Sequence, residues 1–102
     1  MPSISGALSD IELMVELGRR LKALRLARDL GVADVAARAG VNRNTVLAAE
    51  AGRNPRLGTL VAILRALGRL DALDGFLPAP PVSPLALIRG GRRPRRRASR
   101  RG

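Results

Sequence analysis

Cysteine, histidine, tryptophan and tyrosine are all missing from this chain of 102 residues, and Phe76 is its single aromatic ring. Without cysteine there is no disulfide, no thiolate nucleophile and no thiolate metal site. Without histidine there is no imidazole base and no imidazole ligand. Acids are scarce too, with 8 Asp and Glu against 19 Lys and Arg. Asp10, Glu12 and Glu16 fall at the start of the first helix, where acids suit the dipole. Asp71 and Asp74 share the i, i+3 spacing of a solvated helix face, which accounts for them better than a catalytic carboxylate pair does. No metal constellation is legible, and no cofactor is expected. Gly90-Gly91 lacks the strand and helix of a phosphate loop. The chain reads as no enzyme. No run approaches the roughly 18 apolar residues that cross a bilayer, and the N-terminus lacks a signal-peptide layout. A reducing cytoplasm is the expected location, with no membrane partner.

Hydrophobic residues make up 46% of the chain. Leu, Val, Ile and Ala supply them, a set suited to small, closely packed helices. The net charge of +11 is unevenly placed: residues 89–102 hold eight Arg and no acid, so residues 1–88 carry only +3. Such asymmetry points to a polyanionic partner.

Along the chain, Ser9 and Glu12 fit a capping box for a first helix over 10–28. Leu17, Leu21 and Leu24, with Met14 beside them, recur at helical spacing and predict its buried face. Gly31 breaks the chain. A second helix is expected over 32–38, with Val35, Ala36 and Ala39 inward. Asn42 is a good N-cap for a third helix over 43–51. Gly52-Arg53-Asn54-Pro55 reads as a loop. A fourth helix over 58–67 carries Leu60, Ile63, Leu64 and Leu67 on one face and stops at Gly68. A short fifth helix spans 70–76. The expected architecture is one all-α domain over 9–77, followed by a Pro-rich linker and a disordered, Arg-rich tail over 78–102. One more helical turn is expected over 84–88.

The run VAARAGVNRNTVLAAEAG, residues 35–52, is the most informative stretch. Two short helices meet at Ala39-Gly40-Val41, the layout of a helix-turn-helix, whose second helix enters the major groove of double-stranded DNA. Ala36 sits where the helices cross, and a larger side chain there would push them apart. Gly40 is expected at positive φ. Val41 and Val46 pin the second helix to the domain. Arg43, Asn44, Thr45 and Ala48 are then left facing outward. Arg43 can grip guanine O6 and N7, and Asn44 can grip adenine N6 and N7, each pair worth about 1–3 kcal/mol of discrimination. Thr45 suits a phosphate, a base or a thymine methyl, and Leu47 and Ala48 suit a thymine methyl. Asn42 and the helix N-terminus can hold a phosphate. Arg53 and Arg56, in the loop that follows, are natural phosphate contacts. The bland alternative for Arg43, Asn44 and Thr45 is solvation and capping. For Leu47 it is partial packing, and for Arg53 and Arg56 an ordinary solvated loop.

The segments LGRRLKALR, LGVADVAARAGVNRNTVLAAEAG and NPRLGTLVAILRALG resemble, in one register, the Xre/Cro-type helix-turn-helix regulators, a family that includes phage repressors and HipB-like antitoxins. The resemblance covers 17–67 and implies a compact five-helix fold like that of lambda repressor. It implies a structural ion pair between Arg25 on the first helix and Glu50 at the end of the third. It also implies a homodimeric sequence-specific regulator, a repressor above all, associated with a bacterial nucleoid. Leu70, Leu73, Phe76 and Leu77 are the candidate dimer surface, with intramolecular packing as their alternative. The sequence departs from the family at Gly31 and Val32, where members carry a Thr or Ser cap and a phosphate-touching Gln.

LPAPPVSPLALIRGGRRPRRRAS resembles C-terminal extensions of small regulators beside HipA-like kinase toxins. The alternative function is therefore an antitoxin that binds such a kinase and represses its own operon. The arginines of the tail suit a nucleic-acid backbone or a minor groove. RNA reading is disfavoured, because RNA modules stack bases on aromatics and only Phe76 is present.

Overall fold

The computed structural model describes residues 3–81. They form five helices: α1 (Asp10–Ala27), α2 (Val32–Ala39), α3 (Arg43–Glu50), α4 (Leu57–Ala66) and α5 (Asp71–Phe76). There is no strand among the described residues. None of the helices is long and apolar enough to cross a membrane. The expected turn over 84–88 and the tail lie outside the described residues.

Helix boundaries follow local chemistry. Ser9 accepts from the Glu12 N–H at 3.1 Å, and the Glu12 carboxylate accepts from the Ser9 N–H at 2.8 Å, the expected capping box. Gly31 has no side chain to cap α2, and Asp34 compensates in part by accepting from the Gly31 N–H at 2.8 Å. Gly52 and Gly68 take left-handed φ values of 75° and 69° just past α3 and α4. Behind them, Arg53 N–H reaches Ala48 O at 2.9 Å and Arg69 N–H reaches Leu64 O at 2.8 Å. These bonds close the helix ends on otherwise orphaned carbonyls. The ends differ slightly from expectation, with Ala51 and Leu67 serving as C-caps, α4 starting at Leu57 and α5 at Asp71.

The core joins four of the helices: Leu21 from α1, Val35 and Ala36 from α2, Val46 and Ala49 from α3, and Ile63 and Leu64 from α4, with Leu67 at its end. Helix α1 packs on α3, and α2 packs on both α3 and α4. Leu73 of α5 lies half-buried against this core, and α5 buries no residue fully.

The buried face of α1 is the main correction. Leu17 is 40% exposed, and Met14 and Leu24 are only half-buried. The stripe that turns inward is Gly18, Leu21 and Arg25. Apolar periodicity passes over it because one member has no side chain and another is charged. Glu16, expected as one of the acids that suit the start of the first helix, is 1% exposed. Its charge is met within its own helix, since Arg20 Nε donates to Oε2 at 2.9 Å and Arg19 lies 3.7 Å from Oε1. Oε1 takes no hydrogen bond among the described residues.

Candidate nucleic-acid interface

Three features set the orientation of α3. Gly40 takes φ 72°, a left-handed value that glycine adopts without strain, and Val41 N–H then bonds Ala36 O at 3.0 Å. Ala36 is 4% exposed, so the α2–α3 crossing is as tight as its small side chain requires. Val46 and Ala49, at 0% and 2% exposure, fasten the inner face of α3 to the core.

The far end of α3 is held by charge. Arg25 Nε donates to Glu50 Oε2 at 2.7 Å and Nη2 donates to Oε1 at 3.1 Å, a bidentate pair. Arg25 Nη1 also donates to Leu30 O at 2.9 Å. Both side chains of the pair are under one-tenth exposed. The Glu50 hydrogen bond raises the Arg25 pKa above its ordinary value, against the opposing effect of burial. One guanidinium thus ties α1, the α1–α2 link and the end of α3 together.

Asn42 caps the start of α3. Its Oδ1 accepts from the Thr45 N–H at 2.8 Å and from the Thr45 hydroxyl at 3.0 Å. Arg43 and Asn44 follow it, both exposed on the first turn of α3, and Leu47 is 48% exposed one turn on. Asn42, Thr45 and Ala48 line a groove of about 490 Å³, which Arg56 borders from the other side. Arg53 is exposed in the α3–α4 loop and does not line that groove. Apart from Arg53, the candidate residues therefore divide into two sets. Arg43 and Asn44 project at the tip of α3, whereas Asn42, Thr45, Ala48 and Arg56 share the groove beside it.

Thr59 and Pro55 also line the groove and were not singled out from the sequence. The available signal was Arg56 at the N-cap of α4, a residue that cannot cap. It leaves the first turn of α4, where Thr59 sits, without a side-chain cap. At the departure from the family pattern, Val32 is half-buried against the core and Gly31 carries no side chain. No polar side chain is thus available from the start of α2 to grip a phosphate.

A family model described as a helix-turn-helix domain matches residues 16–74, from within α1 through most of α5. The match is consistent with an Xre-type regulator. A search of curated proteins finds no match.

Proposed function

Because the chain belongs to the helix-turn-helix domain family and so carries the DNA-binding domain of a regulator, we propose that it is a sequence-specific transcriptional repressor that inserts α3 into the major groove. The observation that supports this reading most is the division of labour along α3. Val46 and Ala49 are sealed in the core while Arg43 and Asn44 stand free at the N-terminal turn, the end that meets base edges in this motif. Arg43 reads guanine and Asn44 reads adenine. Asn42, Arg53 and Arg56 hold phosphates, and the uncapped first turn of α4 adds N–H groups suited to the same task. The protein acts as a homodimer on a two-fold related site in the cytoplasm, at the nucleoid. Of the candidate dimer residues, Phe76 and Leu77 are 63% and 76% exposed and so offer apolar surface for pairing. No catalytic role is proposed, since the chain has no histidine or cysteine to support one.

The test is binding of the full chain to the DNA upstream of its own gene, across a salt series with competitor DNA. Arg43→Ala should abolish the specific complex and leave non-specific binding in place. Arg53→Ala and Arg56→Ala should each weaken all complexes and flatten the salt slope by about 0.9 log units. An Arg43→Ala variant that binds its site as tightly as the parent would refute base reading by α3. The antitoxin reading leans on a segment outside the described residues, and co-purification of a kinase with the full chain is its test.

A further inference from the structure

Asn42 Oδ1 receives both the backbone N–H and the hydroxyl of Thr45. A carbonyl oxygen only accepts, so the Thr45 hydroxyl proton is committed to the helix cap. Toward the groove, Thr45 then offers no donor, only its methyl and hydroxyl lone pairs. Ala48 lies one turn on along the same groove and adds a second methyl. Val41 and Pro55, both half-buried, extend the apolar lining, and the exposed Arg56 places a cation at the edge. The groove therefore sets the methyls of Thr45 and Ala48 beside the polar side chains of Asn42 and Thr59, with a positively charged lip.

We propose that this groove seats the C5-methyl of thymine, with Thr45 and Ala48 as specificity-determining residues and Arg56 on the phosphate of the same strand. The proposal rests on the helix-turn-helix reading and names one base that this helix selects. In the major groove thymine alone among the four bases presents a methyl, and alanine and threonine methyls are suitable neighbours for it. Burying one methyl corresponds to about a fourfold change in affinity.

The test uses the full chain and a preferred duplex selected from a random pool. Each thymine of that duplex is replaced in turn by uracil, which removes only the C5-methyl. At one thymine or more in each half-site, the change should weaken binding about fourfold. Thr45→Ser keeps the hydroxyl and the cap but lacks the methyl, so it should bring the thymine-over-uracil ratio at that position below about twofold. A selected duplex indifferent to uracil at every thymine overturns the slot, as does a ratio that Thr45→Ser leaves unchanged. Arg43→Ala on the same duplexes separates the two failures. If Arg43→Ala loses sequence preference while every uracil is silent, base reading by α3 stands and the slot alone falls. A pool that yields no preferred sequence removes both.

Discussion

Gly18 of α1 and Gly52 behind α3 interlock through bare backbone. A Cβ on Gly18 would lie 2.5 Å from Glu50 O and 2.8 Å from Gly52 N, and a Cβ on Gly52 would lie 2.7 Å from Met14 O. The obstructing atoms are main chain, which cannot rotate away. This close approach brings the end of α3 against α1, next to the Arg25–Glu50 pair. Gly18→Ala should destabilise the domain by about 1–3 kcal/mol, and Gly52→Ala by about 1 kcal/mol more for its positive φ. Gly58 in α4 has open space around its Cβ position, so Gly58→Ala should be neutral or stabilising by up to about 1 kcal/mol. Thermal unfolding resolves these, at about 4–8 °C per kcal/mol for a domain of this size. Equal melting temperatures for Gly18→Ala and the parent would contradict the interlock.

Arg25 and Glu50 form a buried pair whose halves are unequal to their sum. Arg25→Met strands a carboxylate in the interior and should cost about 3–5 kcal/mol. Arg25→Met combined with Glu50→Leu removes both charges and should recover most of that loss. Arg25→Lys cannot reproduce the bidentate fork and the bond to Leu30 together, so it should fall between. Because Glu50 raises the Arg25 pKa, the guanidinium stays charged up to the ordinary arginine value and its contribution is lost only as pH rises through the raised one. Urea unfolding of the four proteins checks this, and a double variant no better than Arg25→Met would count against it.

Asn42 serves α3 and the nucleic acid with different atoms. Its Oδ1 is taken by the cap, which leaves the Nδ2 amide protons for a phosphate oxygen. Asn42→Ala should cost about 1 kcal/mol of stability and weaken binding as well. Asn42→Asp keeps the capping acceptor but places a negative charge where a donor stood. It should melt within a few degrees of the parent and yet bind DNA less tightly. Affinity and melting temperature measured on the same samples separate the two roles. Undiminished binding by Asn42→Asp would remove the phosphate contact.

The Glu12 carboxyl is held below its ordinary value of 4.5, first by the backbone N–H of Ser9 and then by the Ser9 hydroxyl. A carboxyl lowered in the folded state lends stability above its unfolded pKa and loses it as pH falls through the lowered value. The capping box should therefore hold at neutral pH and open only in acid below 4.5. NMR titration of Glu12 should give a midpoint under 4.5 in the parent and a higher one in Ser9→Ala. A midpoint unmoved by Ser9→Ala would show that the box has no hold on this carboxyl.

Some of the site was legible because its signals are local. Ser9 with Glu12, Asn42 before Thr45, and the glycines at 40, 52 and 68 act within a few residues of chain, where capping and left-handed backbone have one physical solution. Arg43 and Asn44 follow directly from the Asn42 cap, so their place on the first turn of α3 needed no tertiary information. Periodicity gave only Leu21 of the inward stripe of α1: Gly18 turns inward for lack of a Cβ, and Arg25 for its partner on α3, a pair that the family resemblance implied. Neither reason is hydrophobicity, the quantity that periodicity measures.

By itself the sequence determined that the described chain is helical, where each helix starts and stops to within about two residues, and which helix carries the polar tip. These follow from cap, glycine and apolar spacing, interactions that span a turn or two. Tertiary structure alone decided that Leu17 is exposed and Glu16 buried, and that Thr45 and Ala48 share a groove with Pro55 and Arg56 across the α3–α4 loop. Those outcomes depend on how one helix lies against another. That packing is set by contacts between residues distant in the chain, and no local pattern encodes it.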